Sequence, residues 1–238
     1  MLAPHANLEC KRITGMASRA KSDSNNAQVL ARILSPEYRG PRASFGSAQV
    51  LKAILVTGRS SPSGIGRGRL GSELGLGQGE IRTLIHRMKD NGIITIESSG
   101  CKLTELGRKL YLEFQRKLPW SGAVDCSSLG LGRSCWAVLI RGKYIGVANR
   151  KKLNRGIEQR DAALLGGASS ALTLVFKKGR FLIPVEETDA ETPSAKSDEP
   201  WRTLRSANPE EGDVVIVGGS DEKLSSEYGA LSAVLTLL

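Results

Sequence analysis

The chain has 238 residues, 40% of them hydrophobic, and carries 34 lysines and arginines against 24 acids, a formal net charge of +10. That is enough chain for one large or two ordinary domains, and no stretch approaches the ~20 apolar residues of a membrane-spanning helix. Cys10, Cys101, Cys126 and Cys135 are scattered without a CxxC pair, with only His5 and His86 to assist them. This argues against a structural metal site, a bound cofactor or a Cys/His nucleophile, and the thiols read as buried or incidental ones. With no secretory signal in view, a reducing cytoplasm is the expected compartment.

The charge is not evenly spread. Residues 1–120 hold 19 basic against 9 acidic side chains, and residues 121–238 hold 15 of each, so the whole excess sits in the first half. A basic half facing a neutral one is the footprint expected of a polyanion binder with a second, separately employed domain.

Residues 1–26 are polar and lack a core pattern, which predicts a disordered tail whose Lys11, Arg12, Arg19 and Lys21 add nonspecific phosphate contacts at most. A short helix is expected from Ala27 to Leu34, broken by Gly40-Pro41-Arg42. After Ser44, Val50, Leu51, Ile54 and Leu55 mark a first long helix, stopped by Gly58 and Ser60-Ser61-Pro62-Ser63-Gly64. Leu70 and Leu74 mark a second, short helix from Gly68, ended by Gly75. Ile81, Leu84, Ile85 and Met88 then place one face of a third helix, Gly79 to Asn91, against the core. Ile93 to Glu97, a Ser98-Ser99-Gly100 turn and Cys101-Lys102-Leu103 read as a hairpin, and Thr104 caps a further helix to Leu118 with Leu106, Leu110 and Phe114 along it.

Helix, short helix, helix, hairpin, helix is the order of a winged helix-turn-helix, with the Gly79 to Asn91 helix as its reader and the hairpin as its wing. Gln78, Arg82, Thr83, His86 and Arg87 are then the candidates for base edges or phosphates in double-stranded DNA, and Ser99 and Lys102 the candidates on the wing. The same basic helix would also suit an ordinary solvated face or a protein-interaction module.

Past Pro119 and the Gly/Ser-rich stretch Ser121 to Gly132, the pattern changes to strands alternating with helices. Trp136 to Ile140 is a buried strand, Gly156 to Leu165 a helix, Ala171 to Phe176 and Phe181 to Ile183 a hairpin, and Asp213 to Val217 another buried strand. Ser220 to Leu238 reads as the closing helix, with Leu224, Tyr228, Leu231 and Leu235 on one side. Between them Glu186 to Pro200 holds six acids and one lysine and reads as a mobile loop. The expected fold class is α+β: a winged helix over 27–120 and a smaller α/β sandwich over 121–238.

Two places in this second half are candidate small-molecule sites. Gly218-Gly219-Ser220 joins a strand to a helix, where backbone N–H groups can meet an anion, although a tight turn with Ser220 as its cap is the plainer reading. Arg155, Glu158, Gln159, Arg160 and Asp161 crowd one loop and the first turns of a helix, where ion pairs on a solvated face are the plainer reading. Six cations and no acid lie between Arg141 and Arg155. They would extend a DNA footprint or dock the acidic stretch.

The run Gly156-Ile157-Glu158-Gln159-Arg160-Asp161-Ala162 and the ending Asp213-Val214-Val215-Ile216-Val217-Gly218 through Glu227-Tyr228-Gly229-Ala230-Leu231 resemble an archaeal family. Its members join a winged helix to a C-terminal α/β domain of unknown function. The likeness runs from about Ser44 to Leu238 and implies a cytoplasmic transcription regulator, but no catalytic residue or ligand. A homodimeric DNA-binding regulator is therefore expected, not an enzyme, with the second half sensing a small-molecule effector or mediating dimerisation, since one reading helix covers too few base pairs. The alternatives are an enzyme built on the α/β half, for which no nucleophile with its base can be assembled, and an architectural or protein-interaction winged helix.

Overall fold

The computed structural model describes residues 28–34, 43–184, 190–191 and 199–238. The tail over 1–26, Cys10 within it, the Gly40-Pro41-Arg42 break and most of the acidic stretch lie outside these residues. No helix among the described residues is long and apolar enough to cross a membrane. The protein is mixed α and β, as an α+β class requires.

The first half is helical. A helical stretch over 28–34 (α1) precedes α2 (Ser47–Arg59), α3 (Arg67–Leu74) and α4 (Gln78–Asp90), and then a two-stranded antiparallel hairpin, β1 (Ile94–Glu97) with β2 (Gly100–Leu103), and α5 (Glu105–Lys117). Val50, Leu51, Ile54, Leu70, Leu74, Ile81, Leu84 and Met88 are all buried, so the apolar stripes read from spacing converge on one core. Gly75 ends α3 at φ +59°, where a side chain would be strained, and turns the chain from α3 into α4. Thr104 Oγ1 accepts the Gly107 N–H at 3.1 Å and so closes the start of α5, a contact worth ~1 kcal/mol. On α5, Leu110 and Phe114 are buried, but Leu106 is exposed and Lys117 takes an inward position instead, 2.9 Å from Glu113.

In the second half, β3 (Trp120–Val124), β4 (Ser134–Ile140), β5 (Ser170–Lys177), β6 (Arg180–Ile183), β7 (Ala190–Glu191) and β8 (Val214–Ser220) form one antiparallel sheet in the order β3-β4-β8-β5-β6-β7. Two further helices, α6 (Val147–Lys151) and α7 (Ile157–Leu165), precede β5; α8 (Glu199–Ser206) precedes β8 and α9 (Lys223–Leu235) closes the chain. Helices α7 and α9 cover one face of the sheet, while Trp201 and Leu204 of α8 cover the other beside Phe181. Strand β8, flanked on both edges and covered on both faces, is buried at every residue, as a continuous apolar run in a central strand should be.

Four expectations are corrected here. The Gly/Ser-rich stretch, given no element from the sequence, holds most of β3, missed because Trp120-Ser121-Gly122-Ala123-Val124 has too few β-branched residues to stand out. That strand pairs Val124 with Cys135, so Cys126 lies close to Cys135 and the two form a disulfide with Cα atoms 5.6 Å apart; only Cys101 is a free buried thiol among the described residues. Glu199 and Pro200, expected in a mobile loop, begin α8. Gly218, Gly219 and Ser220 do not form a loop before a helix but continue β8. A Cβ at Gly218 would lie 2.4 Å from the Ser226 carbonyl oxygen, and one at Gly219 would lie 2.0 Å from that of Leu131. These glycines therefore admit the close approach of α9 and of the 131 loop to the strand.

The halves are not separated by a gap. Buried side chains on both sides of residue 120 join one hydrophobic cluster, in which α9 is wedged between the sheet and α2. Within that seam Lys52 Nζ lies 2.7 Å from Glu227 Oε2, both side chains under 10% exposed, and stands over the Tyr228 ring. The Tyr228 hydroxyl donates to the Leu74 carbonyl at 2.7 Å, at the turn between α3 and α4. Burial pushes that phenol well above its ordinary pKa, with the Glu227 charge adding to the effect.

A candidate nucleic-acid interface on α4

Helix α4 carries two faces of different chemistry. Ile81, Leu84, Ile85 and Met88 recur at three and four residues and are buried, which turns Gln78, Arg82, Thr83 and His86 outward, all exposed as expected. The helix start is fixed by Glu80, whose carboxylate accepts the Gly77 N–H at 2.8 Å. A hydrogen bond from Ser44 and then that of Gly77 hold this carboxyl below its usual pKa. Thr83 Oγ1 donates to the Gly79 carbonyl, and His86 Nε2 lies 3.3 Å from Asp90 Oδ2, an ion pair only when the imidazole is protonated.

An open cleft of about 1320 Å³ lies along this outer face, between the start of α3, α4 and the hairpin. Arg67, Arg82, His86 and Lys89 bring side chains to it, with the backbone at Gly68, Gly79 and Gly100 in the wall. Arg67, Arg82 and Lys89 are exposed and form no ion pair among the described residues. The cleft is concave and open to solvent; Phe45, Ile85 and Ile96 give it apolar wall, and Arg67, Arg82 and Lys89 stand along it as exposed cations that can meet a phosphate backbone.

Not every candidate is an exposed cation of this cleft, although Arg87 belongs to its lining. Arg87 is only 4% exposed: its Nη1 donates to the Ile33 carbonyl at 3.1 Å and its guanidinium lies 5.8 Å from the centre of the Phe45 ring. It sits where the apolar face of α4 meets the polar one, and α1 and Phe45 cover that border. Arg87, expected among the exposed candidates for DNA, is instead buried and bridges α4 to α1. Ser99 is exposed at the hairpin tip, whereas the Lys102 ammonium is 2.7 Å from Glu97 Oε2 within the hairpin, which offsets its charge.

Sequence reasoning passed over Arg67, Arg69 and Lys89. A signal existed in Gly66-Arg67-Gly68-Arg69: two cations in the first turn of α3, with no acid there, oppose the helix dipole.

The second-half candidates do not converge on one pocket. Arg155, Glu158, Arg160 and Asp161 are exposed around α7, with Arg155 at φ +55° just before it. Gln159 points the other way, fully buried, its amide donating to Thr236 Oγ1 at 2.9 Å while its carbonyl oxygen has no partner among the described residues. Gly218 and Gly219 are filled in as described, and Ser220 does not cap α9: its hydroxyl meets the Glu222 N–H only at 3.4 Å. No group of three or more His, Cys, Asp or Glu that would hold a metal occurs among the described residues.

Comparison with known proteins bears on the second half and on the fold. Residues 131–237 match the model of a domain of unknown function, DUF4443. No curated protein matches the chain. The solved structure of a hypothetical protein from Pyrococcus horikoshii OT3 is similar, with a TM-score of 0.55 and 21% identity over 79% of this chain and 91% of that one. At that identity the likeness is one of fold, and it extends beyond the segment that the domain model covers. The domain match and the neighbour's source together fit an archaeal family.

Proposed function

We propose that this protein is a DNA-binding transcription regulator whose residues 27–120 act as a winged helix-turn-helix. In this reading α3 and α4 form the helix-turn-helix, α4 enters the major groove, and the β1–β2 hairpin is the wing. Residues 121–238 serve as the partner domain, for a small-molecule effector or for dimerisation. The observation that carries the reading is the cleft itself: Arg67, Arg82 and Lys89 stand exposed and without ion-pair partners among the described residues, along the outer face of one helix and the start of another. Arg82 is placed for a base edge or a phosphate, Thr83 and Gln78 for base edges, and Arg67 for the backbone beside the groove.

Binding of duplex DNA to the full chain, measured as affinity against salt concentration, tests this. Arg67→Ala with Arg82→Ala is expected to weaken binding at least tenfold and to lower the slope of log affinity against log salt by about 2, one for each phosphate no longer neutralised. Absent binding at low salt, or an unchanged slope in the double variant, overturns the reading.

A further inference from the structure

Several large apolar side chains that the described residues leave on the surface crowd the segment from Val147 to Leu165. On α7, Leu165 is 92% exposed, Ile157 50% and Leu164 38%. At ~100° per residue, Leu164 falls about 20° to one side of Ile157 and Leu165 about 80° to the other, so the three share one outward stripe while Gln159 and Ala163 face the core. Asp161 lies within the stripe. Arg160 borders it on one side and Glu158 on the other.

The charges of this helix are left unpaired among the described residues, as Arg67, Arg82 and Lys89 of the α4 cleft are, but here both signs occur on one face. Arg133 finds Asp221 and Lys109 finds Glu105 on the surface, yet Glu158, Arg160 and Asp161 form no ion pair among the described residues. Charge on the face is mixed, which does not suit a polyanion, and an apolar stripe between an unpaired cation and an unpaired anion is complementary to itself. A two-fold axis running along the helix would set Arg160 of one copy beside Glu158 of the other, and by symmetry the same pair again. We propose that α7 is the surface through which two copies of this chain associate. A nine-residue helix is ~13 Å long and alone buries less than a standard interface, and Asp161 near the axis faces its own copy. The dimer is therefore an exchanging one.

This deepens the regulator reading by naming the partner of its second half, and it is tested without DNA so that either can fail alone. Sedimentation velocity of the full chain over a range of concentrations is expected to show a monomer–dimer equilibrium. Leu165→Glu abolishes it, Arg160→Glu weakens it about tenfold, and Arg160→Glu combined with Glu158→Arg restores it to near the original value. All three positions are exposed, and an unchanged thermal transition confirms that each variant folds. A chain that stays monomeric up to high micromolar concentration overturns the proposal, as does a Leu165→Glu variant that dimerises like the original or a reversed pair that fails to recover.

Discussion

On the outer face of α4, Arg82 and Lys89 are exposed and lack ion-pair partners among the described residues, whereas at the seam between the halves Lys52 is buried against Glu227 and beneath it Tyr228 holds the end of α3. Both regions are built from basic side chains on amphipathic helices of the same half, and nothing in residue type separates them. What separates them is desolvation. A cation taken out of water must keep a partner at hydrogen-bond distance, and removing that partner leaves an uncompensated buried charge. A cation left in water costs nothing to keep and stays available to a ligand. The seam is therefore a place where charge specifies structure, and the cleft one where charge is free for recognition.

That contrast can be broken most forcefully at the seam. Lys52→Ala leaves Glu227 buried and alone, and a loss of about 3–5 kcal/mol of stability is expected in urea unfolding. Replacing both partners by apolar residues, Lys52→Met with Glu227→Leu, should recover most of it. If Lys52→Ala proves harmless, the seam is not held by this pair. The next largest effect compares two arginines five residues apart on α4. Arg87→Ala removes a charged donor from the Ile33 carbonyl and should cost about 1.5–3 kcal/mol, while Arg82→Ala should stay within about 0.5 kcal/mol of the original chain. Equal losses at the two positions would erase the distinction drawn between them.

The smallest effect is one of pH. The folded-state pKa of Glu80 is lowered by Ser44 and Gly77, so its contribution to stability is present above the ordinary carboxylate pKa of 4.5 and is lost as pH falls through the lower, folded value. Glu80→Gln keeps an acceptor for the Gly77 N–H but cannot titrate. Its stability should fall less steeply below about pH 5 than that of the original chain, which unfolding midpoints across pH 3–6 would show.

The helical half was legible because its signals are local: apolar residues three and four apart in α2 and α4, Gly75 after α3, Thr104 before α5. The same local reading misjudged Leu106 and Lys117, which exchange inward and outward places on α5, because Glu113 gives the Lys117 ammonium a partner under the helix. In the second half β4, β5, β6 and β8 were legible as apolar runs, but β3 was not. Its place in the sheet comes from pairing with β4, a contact between segments and not a property of Trp120 to Val124 alone. The candidate sites divide in the same way. Arg82, Thr83 and His86 face outward as spacing along one helix demands. Arg87 and Gln159 do not, since α1 closes over the first and the α9 end over the second.

Taken by itself, the amino-acid sequence determined the helices of the first half, the apolar strands β4, β5, β6 and β8, and that the basic excess belongs to the first half, since these follow from near-neighbour periodicity and composition. Only the tertiary structure decided which cations are spent and which are free, that Gly218 and Gly219 serve packing and not an anion, that Cys126 meets Cys135, and that α9 is wedged against α2. Each of these depends on what a distant segment places within a few ångströms, and desolvation and close packing act at that range.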